Sequence, residues 1–310
     1  MNNIFTLAFF ETWLVAAFRL SGPILLVALG ETIGQNTGVL NLGIEGAMLG
    51  GALTAFAVTF SLGSPTLGIL SAILCGLVLG LFLSWVYITA NVNQVVAGVV
   101  FNAFMMAAAS YVYRYIYGNS PEIQRVTGFS PIHIPYLSEI PIIGPALFEQ
   151  SLLLYLAFVL VAVSWFALFK TTLGLKILGV GENPRSAEAS GISVNKTRYF
   201  GVLYSSALAG FGGGYLMLTA INSYRDGITA GKGFIALAIV IFGGWNPVRV
   251  ACAAIIFGAA DALQLSLQSA GIPVIPQLLF ALPYILTIFA VSGIFGSRSQ
   301  PTSLLIKYER

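Results

Sequence analysis

Charge is what this chain has little of. Only 8% of its 310 residues are Asp, Glu, Lys or Arg, against about 25% in a soluble domain. Such a chain cannot wet a globular surface, so a soluble fold is excluded. Histidine is reduced to one, His133, which excludes a His-rich metal site and argues against a catalytic triad. No metal ligand and no catalytic residue is assigned. The two cysteines, Cys75 and Cys252, both lie in apolar stretches and read as small packing residues, not as a disulfide framework. The first ten residues lack a basic n-region, and the first apolar run continues into a spanning segment, so no cleavable signal peptide is expected. A net charge of +3 is too small to suggest a nucleic-acid partner. A phosphate loop is missing too. The run GITAGKG has Asp226 where the first glycine of the motif belongs and Gly233 where the hydroxyl belongs. No cofactor is therefore expected in this chain. If ATP and magnesium drive it, they sit on a partner subunit.

What is present is apolar length. Hydrophobic residues make up 57% of the chain, and the mean hydropathy is +0.90. A spanning helix needs about 20 mostly apolar residues. Candidates lie near 12–29, 38–58, 66–88, 94–117, 151–169, 199–222, 233–244, 248–267 and 276–296. The expected fold is an all-α polytopic membrane protein of nine or ten spans, forming one transmembrane domain over 1–310. The glycine-rich stretches 30–50 and 231–247 are candidates for broken or re-entrant helices. Basic residues orient the chain. Placing the loop 170–198 in the cytoplasm puts Lys170, Lys176, Arg185, Lys196, Arg198, Arg249, Arg298, Lys307 and Arg310 inside. Only Arg114, Arg125, Arg225 and Lys232 then lie outside. The loop 118–150, broken by Pro121, Pro131, Pro135, Pro141 and Pro145, becomes extracellular. The C-terminus falls inside, and nine spans put the N-terminus outside. His133, alone in that outer loop, reads as incidental.

A faint internal repeat is visible. Gly38 to Val58 is followed by a small-residue span with Cys75, then NVNQVVAGVVFNAF. Gly227 to Gly244 is followed by a small-residue span with Cys252, then IPVIPQLLFALPYI. The copies are five spans apart. An odd offset inverts them, the plan of transporters whose substrate path lies between the halves.

Polar residues inside apolar spans are costly and stand out. Arg19, Glu31, Glu45 and Asp261 qualify, and a buried pair such as Arg19 with Glu45 is one structural explanation. Asp261, Gln264 and Gln268 share one helix face, as do Gln94, Gly98 and Asn102. Neutral amides with few charges suit a polar, uncharged ligand. Asn41, Glu45, Gln94, Asn102, Asp261 and Gln268 are the candidate translocation-path residues. Glycines spaced in fours, as at Gly30, Gly34 and Gly38 or Gly210 and Gly214, allow close helix approach and are satisfied by ordinary membrane packing.

The loop 170–198 is the longest polar run. Asn183 suits an N-cap, Pro184 the first helical position, and Gly191 the C′ position of a helix over Arg185–Ser190. Gly174, Gly179 and Gly181 join it to the spans. So short a helix is marginal alone and makes sense if it docks on something.

Here the residues resemble a family. GLKILGVGENPRSAEASGI (174–192) is similar to the coupling segment of permease subunits of ribose-type bacterial ABC importers. GETIGQNTGVLNLGIEGAMLGGA (30–52) and GKGFIALAIVIFGGWNP (231–247) resemble its nucleoside, guanosine-like branch. The resemblance covers about 12–296. It implies a type II importer permease in the cell membrane, in five-plus-five inverted halves. It also implies ABC ATPase subunits inside, a second and different permease chain, and a substrate-binding lipoprotein outside. Asn183, Pro184, Arg185, Glu188 and Gly191 are then the expected coupling residues, and the chain is a non-enzymatic transport subunit. A simple-sugar permease is the rival within the family. An ion-coupled carrier is the rival outside it, and would be expected to bury more carboxylates or histidines.

Overall fold

The computed structural model describes residues 7–118, 124–269, 285, 288 and 300–308. The expected last span, 276–296, lies almost wholly outside the described residues, as do most of IPVIPQLLFALPYI, Pro121, Arg298 and Arg310.

The hub is α1 (Leu7–Asn36), the longest helix, with Pro23 inside it and nearly every residue from Ser21 onward buried. Next come α2 (Ile44–Leu62), α3 (Pro65–Ser84) running into a π-helical turn to Thr89, and α4 (Gln94–Tyr117). A two-stranded antiparallel ribbon follows, β1 (Pro131–His133) with β2 (Glu149–Ser151), holding α5 (Ile143–Phe148) between its strands. Then come α6 (Leu152–Lys170), α7 (Thr172–Glu182), α8 (Pro184–Ala189), and α9 (Val194–Tyr215), which ends in a π turn to Ile221. Last are α10 (Lys232–Phe242) and α11 (Pro247–Ser269). Helices α5, α6, α9, α10 and α11 pack around α1, while α2 and α3 pack on each other and on α9, and α4 packs on α2.

These stretches are helical because a chain without water on any side must satisfy its backbone internally. The long ones among them are apolar all round, as buried and lipid-facing helices are. Local signals stop them. Gly63 closes α2 in the left-handed region at φ +66°. Ser64 and Pro65 open α3, and the Asn93 side chain caps α4. At Gly210 three backbones meet. A Cβ there would stand 2.3 Å from the Ala72 carbonyl oxygen and 3.0 Å from the Gly76 Cα, and one on Gly51 would stand 2.3 Å from the Gly210 oxygen.

Among the described residues, six helices are long and apolar enough to cross a membrane: α1, α2, α3 with its π turn, α4, α6 and α11. Three expectations need correction. The span expected over 233–244 is the 11-residue α10, about 16 Å long at 1.5 Å per residue and too short to cross. The span expected over 38–58 begins as a helix only at Ile44, after a non-helical stretch 37–43. The span over 199–222 is a longer rod, 194–221, rich in glycine and serine and enclosed by its neighbours.

The molecule has two ends. At one, α1 finishes beside Trp245, α7, α8 and residues 300–308. The Asn36 Nδ2 donates to the Trp245 carbonyl at 3.3 Å, and the Ser303 N–H to the Gly181 carbonyl at 2.9 Å. This is the basic end, carrying Lys170, Lys176, Arg185, Lys196 and Lys307. The opposite end is capped by the described part of 118–150. Phe129 N–H donates to the Leu218 carbonyl at 2.8 Å, and Gln150 Nε2 to Val15 at 3.3 Å. Helix α2 runs from the interior to this capped end, where the Phe56 ring packs at an angle against Tyr113, Tyr117 and Tyr224. Helix α10 runs from the interior to the basic end, where Trp245 Nε1 donates to Gln35. The two repeat elements are therefore broken helices running antiparallel, as an inverted repeat requires.

Candidate translocation path and coupling surface

Broken helices leave backbone N–H groups without partners inside the bilayer, where each must find an acceptor. Glu45, in the first turn of α2, supplies one for α10. Its carboxylate accepts from the Thr229 hydroxyl at 2.5 Å, the Gly231 N–H at 2.9 Å and the Gly233 N–H at 2.7 Å. The positive end of the α10 dipole favours that negative charge. Residue 233 must be glycine, because a Cβ there would sit 2.9 Å from the Glu45 Cα. The suggested Arg19–Glu45 pair is therefore not formed. Arg19 lies toward the capped end and lines a cavity with residues 126–131, Gln150 and Asn222.

The break before α2 is satisfied by the amides. Asn102 Nδ2 donates to the Leu42 carbonyl at 2.8 Å, and its Oδ1 accepts from Gly46 N–H at 2.8 Å. Gln94 Oε1 accepts from Leu40 N–H at 2.9 Å. Asn41 donates to Ser205 and Ser206 at 3.2 and 3.0 Å and accepts from Gly43 N–H at 3.1 Å. Beneath it Glu31, fully buried, accepts from Asn41 N–H at 2.9 Å, the Ser205 hydroxyl at 2.6 Å and Gln35 at 3.3 Å. Non-helical backbone survives at membrane depth only when enclosed in this way.

A cavity of about 290 Å³ opens where the two breaks meet. Glu45, Asn102, Met106, Thr229, Gly231 and Phe234 are among its walls. Of the six candidate path residues, it brings together Glu45 and Asn102. Asn41 and Gln94 are turned into the protein, 0% and 6% exposed, and do not reach it. Asp261 is paired with Lys232 at 2.6 Å in a mostly buried ion pair at the start of α10. Gln268 is exposed near the end of α11. Thr229, Ser205 and Ser206 were not singled out from the sequence. Their only mark is a hydroxyl inside a glycine-rich stretch.

At the basic end, α8 has the caps its sequence specifies. Asn183 Oδ1 accepts from Ser186 N–H at 3.1 Å, and Pro184 is the first helical residue. Gly191 stands at φ +82°, with Gly191 N–H bonded to the Glu188 carbonyl at 2.8 Å and Ile192 N–H to Ala187 at 3.0 Å. This is the bond pair of a Schellman stop. Ala187 seats α8 against Val180, Val194, Ile192 and Tyr308. Asn183, Arg185, Ser186 and Gly191 face outward, while the Glu188 carboxylate accepts from the Tyr308 hydroxyl. The expected glycine joints are corrected: Gly174, Gly179 and Gly181 lie within α7. A Cβ on Gly174 would stand 2.0 Å from the Leu168 oxygen, and one on Gly181 would stand 2.1 Å from the Asn36 oxygen. These two glycines serve close packing, not flexibility.

A multi-pass bundle with two broken helices meeting in its interior and a capped helix projecting at its basic end defines a membrane transport permease. The chain belongs to the branched-chain amino acid transport system permease component family, whose model matches residues 13–291. It is a multi-pass cell-membrane protein and a non-enzymatic subunit that works with ABC components including an ATPase. Among curated relatives, the guanosine ABC transporter permease protein NupQ of Bacillus subtilis is 35% identical over 93% of each chain. The nucleoside ABC transporter permease protein NupC of Lactococcus lactis is 33% identical, also over 93% of each. TsgC13 of Haloferax volcanii, an ABC permease whose name assigns it provisionally to glucose, is 35% identical over 95% of this chain and 96% of its own. A solved ABC transporter in an inward-facing conformation, described as of metal-chelate type, matches with a TM-score of 0.50. The match has 19% identity and covers 92% of this chain and 85% of that one. It shows that the fold is shared.

Proposed function

We propose that this chain is one permease of an ATP-driven importer of purine nucleosides such as guanosine. The observation that carries the substrate class is the full-length similarity to permeases named for guanosine and nucleosides. The basic end faces the cytoplasm, as the Lys and Arg bias requires, and 118–150 faces outward. A second, different permease chain completes the pore, a lipoprotein delivers the nucleoside, and α8 contacts the ATPase. Closure of the ATPase dimer moves α8 and α7, and through them α6 and α9. The α2–α10 cleft then alternates its access. Glu45 and Asn102, at its wall, present a carboxylate and an amide to ribose hydroxyls and base edges. Asp261 supports the path indirectly, by fixing Lys232 at the start of α10.

Uptake of labelled guanosine by cells or proteoliposomes carrying the complete importer tests this. Competition by other purine nucleosides, without competition by ribose or glucose, is the expected result. A second reading, a sugar importer, is favoured by the similarity to TsgC13 and predicts the reverse. Uptake that needs no ATPase and collapses with an ion gradient would sink both.

A further inference from the structure

We infer that the C-terminal segment 302–308 is part of the coupling device, with Tyr308 as the residue that positions α8. This rests on the reading of α8 as the ATPase contact. The segment is fastened to its neighbours at many points. Thr302 Oγ1 donates to the Glu182 carboxylate at 2.7 Å. Ser303, 3% exposed, donates its N–H to Gly181 at 2.9 Å and its hydroxyl to the Gly181 and Val180 carbonyls at 2.7 and 3.1 Å. Arg198, at the start of α9, donates from Nη1 to the Ile306 carbonyl at 3.1 Å, and its guanidinium lies 5.9 Å from the centre of the Tyr308 ring. The Tyr308 hydroxyl closes the set on Glu188 of α8. At the other side of the segment, a Cβ on Gly38 would stand 2.5 Å from Ser303 Oγ, so the segment also reaches the break before α2.

The segment thus touches α7, α8, α9 and the stretch that follows α1. A single-turn helix such as α8 has almost no stability of its own. It is held through Ala187 by the cluster of Val180, Val194 and Tyr308, and through Glu188 by the Tyr308 hydroxyl. Any push on α8 therefore reaches this segment as well as α9. A groove of about 500 Å³ separates Glu182–Arg185 from Thr302–Tyr308, so the segment also forms one wall of the surface offered to the ATPase.

The test uses the complete importer in proteoliposomes, with guanosine as the probe. Guanosine-stimulated ATP hydrolysis and the ATP spent per nucleoside imported are both measured. Tyr308→Phe keeps the ring and removes the donor. Stimulation is expected to fall several-fold, and ATP spent per nucleoside to rise, in a complex that still co-purifies with its ATPase. Glu188→Gln, which keeps an acceptor, should retain more coupling than Glu188→Ala. The double variant Tyr308→Phe, Glu188→Ala should be no worse than Glu188→Ala alone. Normal coupling in Tyr308→Phe, additive losses in the double variant, or normal coupling after deletion of 302–310 would each overturn the inference. An unmutated importer that guanosine does not stimulate would instead refute the functional reading.

Discussion

At the scale of single residues, Glu45 is the most consequential side chain of the bundle. It joins the two broken helices by accepting from Thr229, Gly231 and Gly233. Its replacement by alanine strands donors that cost about 1–3 kcal/mol each when buried unpaired. We expect Glu45→Ala to abolish uptake and to lower the detergent melting temperature markedly. Glu45→Gln, which keeps one acceptor, should be milder on both measures. Gly210 is the packing counterpart. Three backbones converge there, so Gly210→Val forces helices apart at a cost of at least 1–3 kcal/mol, typical of overpacking. Loss of folded protein from the membrane fraction is the expected outcome. Nearer the capped end, Asp226 is bonded to Arg114 at 2.6 Å. That guanidinium, with the Ser110 hydroxyl, holds the Asp226 carboxyl below its usual range. A depressed carboxylate contributes stability above its unfolded-state pKa, and the contribution disappears as pH falls through the folded value. Asp226→Asn should therefore lower the melting temperature slightly at neutral pH, the loss being small because both side chains are substantially exposed, and should converge with the parent at low pH, leaving a flatter acid limb. The sequence exposed the intramembrane charges as unusual. It did not show their partners, which lie up to 188 positions away along the chain.

Elements divide into those that local chemistry writes and those that packing writes. α8 is of the first kind. Asn183, Pro184 and Gly191 specify its start and stop, and the structure has each in its place. A β-branched residue at Gly191 must adopt the left-handed region at about 1–2 kcal/mol. Gly191→Val should therefore lower nucleoside-stimulated ATPase while the protein still reaches the membrane. α7 is of the second kind. Its glycines resemble joints in the sequence, yet all three are helical, and two of them, Gly174 and Gly181, are pressed by α6 and the end of α1. The break before α2 follows the same logic. The amide stripe of α4 reads as a path lining. Asn102 keeps a place in the cavity wall while it pairs with Leu42 and Gly46, but Gln94 is turned inward to Leu40, because unsatisfied backbone is the greater cost at that depth.

For the whole molecule, the bundle places the described parts of 118–150 at one end and 170–198 with 300–308 at the other. This gives a topological prediction. In a background with Cys75 and Cys252 replaced by alanine, His133→Cys should react with a membrane-impermeant thiol reagent in intact cells. Arg185→Cys should react only after permeabilisation. The opposite pattern would reverse the orientation and place α8 on the wrong side for an ATPase.

The sequence by itself determined that the chain lies in a membrane, which end is basic, that a capped helix stands at that end, and that two glycine-rich stretches interrupt the spans. Each of these follows from composition or from interactions within a few residues. Only the tertiary structure decided that the two interruptions meet, that Glu45 bridges them, and that Asn41 and Gln94 turn inward. It also tied Tyr308 to α8. These depend on which backbone groups are left without partners once the helices have packed, and on which distant side chain is then near enough to supply them.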